Sequence, residues 1–394
     1  MEKKTKTRQR LSKQQAQKML QERRAKALRS AQRKHERADH LTDLIIKEGT
    51  KQFGEATFAR AEDMLGNIKG FVSTSIPPLD VLLTGEIGKG FAYGRYTELI
   101  GEADVGKTTL GCYAMRNVQR EGGIAVLLDT ERTLTRKRLA ELGVKTDSRL
   151  VVIQDNILED IGNRIEFVLS KIGQTPAVIF WDTIASSVTR SATSKRLGES
   201  MKIGEHAQLL ANLFRKITTP LSQSCAALIM CNQRKEGGIG QLFVNARKRD
   251  ATLGGEAVKF HTIHRLKLGF QSTEKNKETR KRSQQFIVTG ETLKNKVSPS
   301  RLQGRFVIST SGDVSEFDIP LSFVRTMQAW GSFSTGRHLC KDSRGQGITP
   351  QRFADSYDKD RAFTAEMNAR LIATYNELNM RQASGETASA LVNM

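Results

Sequence analysis

The residues Gly101-Glu102-Ala103-Asp104-Val105-Gly106-Lys107-Thr108-Thr109 fit the pattern G-x-x-x-x-G-K-[ST]. A loop of this kind wraps backbone N–H groups around nucleotide phosphates. Tyr96-Thr97-Glu98-Leu99-Ile100 reads as a strand entering the loop, and Leu110, Tyr113, Ala114, Asn117 and Val118 fall at helical spacing beyond it. A helix that starts here aims its N-terminal dipole and free amides at a bound anion. In that frame Lys107 reaches the β/γ-phosphates and the Thr108 hydroxyl ligates Mg²⁺. The expected ligand is a nucleoside triphosphate, with ATP the first choice.

Composition sets the surroundings. A chain of 394 residues with 38% hydrophobic content supports one large core with polar appendages. The net charge of +21 points to a polyanionic partner. No apolar run is long enough to span a bilayer, and the charged opening residues carry no apolar signal-type core. The expectation is therefore a cytoplasmic protein, without a membrane role. Cys112, Cys225, Cys231 and Cys340 show no C-x-x-C pairing, so buried free thiols are expected rather than metal ligands.

Along the chain, residues 1–40 form a basic arm, rich in Lys and Arg and without aromatics, Pro or Gly. It reads equally as a nucleic-acid contact or as a solubilising tail. Residues 41–70 carry Leu41, Leu44, Ile45 and Ile46, then Phe53 and Phe58, a helical appendage around Gly49 and Gly54 suited to packing between protomers. The core is expected over 71–321. Its apolar runs Ile124–Leu128, Leu150–Ile153, Ala177–Trp181 and Ala226–Cys231 alternate with helical patterns, as a parallel sheet covered on both faces requires. Four further strands, Ile263–Leu268, Gln285–Thr289, Thr292–Val297 and Arg305–Ser309, follow, with turns expected at Gly290-Glu291 and near Gly304. Those turns make this end of the sheet antiparallel. Residues 322–380 form a small helical C-terminal domain anchored by Trp330 and Phe333, and 381–394 a loose tail.

Two acids stand at strand ends, where an open α/β sheet presents its ligand crevice. Asp182 closes Ala177–Trp181 and is placed to hold Mg²⁺ through water; Glu131, just past Ile124–Leu128, is placed to polarise an attacking water. Asn232-Gln233 ends the strand Ala226–Cys231, where Gln233 can sense a γ-phosphate. From it hangs a long cationic segment, 234–253, with Arg234, Lys235, Ile239, Arg247, Lys248 and Arg249. A second basic connection, 190–204, holds Lys195, Arg196, Lys202 and Ile203. With few aromatics in either, contact with DNA would rest on phosphates, with Ile203 or Ile239 wedged between bases.

In this order the residues resemble the RecA family of recombination ATPases, from about Val72 to Ser309. The resemblance includes Val72-Ser73-Thr74 with Leu79-Asp80, the Gly101–Thr109 loop, Asp129-Thr130-Glu131, Asp182-Thr183, Asn232-Gln233, and Gly254-Gly255-Glu256-Ala257-Val258-Lys259-Phe260. It also includes Lys294-Asn295-Lys296, whose lysines in the family reach the γ-phosphate held by the neighbouring subunit. The resemblance implies a RecA-type P-loop ATPase fold, ATP with Mg²⁺, a homo-oligomeric filament on single-stranded DNA, and pairing of that strand with duplex DNA. Arg138 stands where bacterial members stack a tyrosine on adenine, and Thr135 where they carry an acid. The basic arm and the lack of an acidic tail are similar in type to UvsX-like phage members. Two other readings stay open: a ring helicase or motor of the same superfamily, and an ATP-switched coating protein without significant turnover.

Overall fold

The computed structural model describes residues 13–54, 58–60, 68–194, 204–233, 252, 254–275, 282–309 and 316–384. The chain divides into two compact units, Met1–Asn67 and Ile68–Met394.

In the first unit, a single helix α1 spans Lys13–Phe53. Residues 41–53, expected as the first part of a separate helical appendage over 41–70, simply continue it. Gly49 sits inside the helix because the ring of Phe58 lies where a Cβ would be, at 2.6 Å. Arg60 returns to pair with Asp43 at 2.6 Å.

The second unit is built on a sheet with nine strands among the described residues. The strands are β1 (Tyr96–Ile100), β2 (Ile124–Asp129), β3 (Leu150–Ile153), β4 (Ala177–Asp182), β5 (Ala226–Asn232), β6 (Thr262–Lys275), β7 (Arg282–Asn295), β8 (Gln303–Ser309) and β9 (Glu316–Asp318). Their order is β9-β8-β7-β6-β1-β5-β4-β2-β3. The six from β6 to β3 are mutually parallel, and β7, β8 and β9 are antiparallel. The helices that position the site are α2 (Pro77–Thr84), α3 (Lys107–Arg120), α4 (Leu158–Ile172), α5 (Glu205–Gln223) and α6 (Gly255–His261). Two more, α7 (Ile319–Ala329) and α8 (Arg361–Ala383), follow the sheet.

Strand alternation divides the core in two. Along β4, Val178 and Phe180 face one cluster while Ala177, Ile179 and Trp181 face the other. The first cluster takes Leu110, Tyr113, Ala114 and Val118 of α3; the second takes Ile161 and Ile165 of α4 with Leu210, Phe214 and Ile217 of α5. Gly111 lets α3 settle on the sheet, since a Cβ there would stand 2.1 Å from the Phe180 ring. The C-terminal helices share the first cluster through Phe323, Phe353, Met367 and Leu371. Trp330 is buried and donates its Nε1–H to the Gln303 carbonyl at 2.7 Å.

Of the two expected turns, the one at Gly290-Glu291 is absent, while the one near Gly304 is found just before that glycine. β7 runs straight through Gly290, which pairs with Leu268 on one side and Gly304 on the other. Both glycines make room for one side chain: their Cβ positions would fall 2.4 and 2.8 Å from the Phe306 ring. The reversal lies in residues 296–302.

Candidate ATP site and loop anchors

The phosphate loop leaves the C-terminal end of β1 and closes on α3, with Gly106 at φ 88° as the helix N-cap. This left-handed turn costs little only at glycine. Asp104 also has positive φ, at 58°. Glu102, Ala103 and Asp104 are exposed at the loop rim, while Gly101, Val105 and Thr109 are buried beneath it. The Lys107 ammonium bends back over the loop, donating to the Gly101 carbonyl at 2.9 Å and to the Glu102 carbonyl.

Opposite Lys107, the Thr108 hydroxyl donates to Asp182 Oδ2 at 2.7 Å. Asp182 ends β4, and its backbone carbonyl accepts from the N–H and hydroxyl of Thr130, both at 3.0 Å. This ties the end of β2 to that of β4. Burial raises the Asp182 carboxyl above its ordinary pKa, the Thr108 hydroxyl opposes that, and the charge of Glu131 adds to it. Glu131 is exposed, and its Oε1 accepts from Ser186 at 3.0 Å. Lys107, Thr108, Glu131 and Asp182 thus gather at one end of the sheet.

Arg138 lies in the short helix Arg136–Glu141, where it pairs with Glu141 at 3.3 Å. Thr135, the residue standing in place of an acid, caps that helix by accepting from the Arg138 N–H at 3.1 Å.

Gln233 follows β5, whose last residue, Asn232, is opposite Ile100, so it emerges beside the phosphate loop with its side chain exposed. Behind it lies a buried polar network not visible in the motif pattern. Asn232 Nδ2 donates to Glu98 Oε1 at 2.8 Å, and Arg265 Nε donates to Glu98 Oε2 at 2.5 Å. Arg265 also reaches Thr252 at 3.4 Å. Glu98 is fully buried and Arg265 is 6% exposed. The network spans β1, β5 and β6 and holds both ends of the segment that hangs from Gln233. An acid at an apolar strand position paired in sequence with an arginine on a later strand is the signal for it, but their register appears only in three dimensions.

The residues expected at DNA, Lys195, Arg196, Lys202, Ile203, Arg234, Lys235, Ile239, Arg247, Lys248 and Arg249, all lie outside the described residues. The roots of both segments are described. The 190–204 segment is clasped by Ser191 donating to Glu205 at 2.6 Å and by Ser187 with His206 Nε2 at 2.9 Å. Both segments leave the sheet after β4 and β5, at the end that carries the phosphate loop.

Lys294 and Lys296 are elsewhere. Lys294 is opposite Arg265, which is level with Glu98, and the Lys296 N–H donates to Ile263 at 3.1 Å. At roughly 3.3 Å per residue the Lys296 backbone lies about 15 Å below the loop and two strands to the side. The Lys294 ammonium donates to the carbonyls of Lys259 and Phe260, the latter at 3.1 Å. Burial, with the nearby charges of Lys296 and Arg265, pushes its pKa down to about 8. The loop and the lysine pair therefore occupy opposite ends of the sheet within one chain.

A parallel sheet, a phosphate loop and strand-end acids together make the fold of a P-loop nucleotide-binding protein. The model of the RecA N-terminal domain matches residues 40–313. The RecA protein of Mycobacteroides abscessus is 30% identical over 297 residues, which is 74% of this chain and 82% of that protein. That of Kineococcus radiotolerans is 30% identical over 318 residues, covering 77% of this chain and 84% of its own length. The Porphyromonas gingivalis protein is 28% identical over 308 residues, covering 73% and 85%. The chain belongs to the RecA family, whose members are DNA-dependent ATPases. Among the described residues no helix is long and apolar enough to cross a membrane.

Proposed function

We propose that this chain hydrolyses ATP in a DNA-dependent manner, assembles as a filament on single-stranded DNA, and promotes homologous pairing and strand exchange with duplex DNA. The observation that carries this reading is the separation of Lys294 and Lys296 from the phosphate loop. A lysine pair that cannot reach its own chain's nucleotide acquires a purpose when the next protomer presents its loop, a head-to-tail contact that propagates into a filament. Exposed apolar residues support assembly: Leu41, Leu44, Ile45 and Phe53 on α1, and Val151 and Val152 on the edge strand β3.

In this reading the amides of Gly101–Thr109 and the Lys107 ammonium bind the triphosphate, and Arg138 stacks its guanidinium on the base. The Thr108 hydroxyl and Asp182 are hard oxygen donors 2.7 Å apart, a pair suited to Mg²⁺ shared with phosphate oxygens. Among the described residues no cluster of three His, Cys, Asp or Glu offers an independent metal site. When bound, the metal neutralises developing charge on the phosphates. Glu131 orients and deprotonates water, and Gln233 reports the γ-phosphate to the segment 234–253. That segment and 190–204 grip DNA. The basic arm supports the reading of a diverged, phage-type member that acts in a cytoplasm.

Lys107→Ala should abolish ATP-dependent filaments, and Glu131→Gln should trap them on single-stranded DNA, as seen by electron microscopy. Complementation tests the split site. Lys107→Ala mixed with Lys294→Ala/Lys296→Ala should regain DNA-stimulated turnover, because some interfaces then pair an intact loop with intact lysines. Discrete rings, or two silent variants that stay silent when mixed, would overturn the reading.

A further inference from the structure

The basic arm has a structured part that the family match does not reach, since that match begins at residue 40. Residues 1–40 carry fourteen Lys and Arg against four Asp and Glu, close to half of the chain's net charge of +21. Within α1, Lys26, Arg29, Arg33, Lys34 and Arg37 follow one another at helical spacing and line a single shallow groove of about 520 Å³ together with Ser30. All five are exposed, and none forms an ion pair among the described residues. Eleven steps of about 1.5 Å from Lys26 to Arg37 make the stripe about 17 Å long.

We propose that this stripe is a binding surface for the phosphate backbone of duplex DNA, separate from the nucleotide-controlled grip on single strands. Its polyanion is taken from the function proposed above, but its geometry stands apart from that reading. A second copy of the chain, itself strongly cationic, would be repelled. A membrane surface requires an apolar face, and Leu28 is the one large apolar residue between Gln21 and His40. Single strands are held through their bases, by stacking on aromatics or by apolar wedges such as those expected at Ile203 and Ile239, and the stripe offers neither. A duplex hides its bases and offers about one phosphate charge per 1.7 Å of axis, so about ten lie along a stripe of this length. A straight helix also fits the major groove.

The test uses the full chain with Lys26, Arg29, Arg33, Lys34 and Arg37 all replaced by Gln, a residue that keeps the helix. Duplex affinity without nucleotide is followed by fluorescence anisotropy across a salt series, with circular dichroism to check helicity. The expected result is a log affinity–log salt slope shallower by about 4 for the variant, since each lost phosphate contact removes about 0.9. Filament formation on single strands with ATP, and the turnover it stimulates, should be retained. Failure of those in the unsubstituted protein would sink the recombinase reading and leave the stripe to its own salt series. Unchanged duplex slopes would overturn the proposal. So would equal losses for duplex and single strands, or a loss of binding to anionic phosphatidylserine vesicles with duplex binding intact. If the variant loses helicity, Arg29→Gln/Arg33→Gln alone should still flatten the slope by nearly 2.

Discussion

Asp80 shows how much a single buried side chain organises ahead of the phosphate loop. Its Oδ1 accepts from the N–H and hydroxyl of Thr74, both at 2.8 Å, and its Oδ2 from Ser73 at 2.7 Å and the Gly88 N–H at 3.0 Å. Burial pushes its pKa up to about 6, so at neutral pH it remains a carboxylate and these donors hold the charge. Asp80→Asn turns one acceptor into a donor that faces donors, and should cost about 2 kcal/mol. Urea unfolding with an unchanged midpoint would contradict this. In the site itself, Thr108 meets Asp182 and Glu131 meets Ser186 on adjoining strand ends, where the proposed mechanism would put its metal-side and water-side chemistry.

At the scale of elements, β1, β5 and β6 are locked by the Glu98–Arg265 pair. Arg265→Met leaves Glu98 buried and unpaired, which should destabilise the fold by about 3–5 kcal/mol. Adding Glu98→Leu should recover most of the loss, because two apolar residues replace two charges that had to be desolvated together. A single-variant cost under about 1 kcal/mol would mean that water reaches the pair. Recovered stability need not restore function. The same network holds Asn232 and Thr252 at the two roots of the cationic segment, so the double variant should still bind single-stranded DNA with reduced dependence on ATP, measured as the ratio of affinities with and without nucleotide.

At the scale of the whole molecule, the filament proposed above would bring the Lys294/Lys296 pair of one protomer to the phosphates of another. In the free chain the Lys294 pKa is pushed down to about 8. Phosphate oxygens favour the ammonium, so the pKa rises on assembly and a proton is taken up. ATP-dependent assembly should therefore be full below pH 8 and weaken as pH climbs past it. Light scattering between about pH 7 and 9.5 reads this, and Lys294→Arg, which keeps its charge throughout, should flatten the dependence. A decline of the same midpoint in the arginine variant would assign the titration to another group.

The phosphate loop, the strand-end acids and the parallel run were legible because each is local: a few consecutive residues of fixed spacing, or near-continuous apolar strands. The antiparallel edge was legible in direction and wrong in detail. Gly290 reads as a turn because glycine permits one, whereas its small size, like that of Gly304, is needed beneath Phe306, a contact between strands. The continuous helix α1 was likewise broken in the reading by Gly49, which the fold uses to seat Phe58. The sequence by itself determined the family motifs and their order along the chain. Only the tertiary structure decided that Glu98 and Arg265 share one buried site and that the lysine pair lies at the far end of the sheet from its own loop. Both facts depend on strand order and register, which are set by packing between segments remote in the chain.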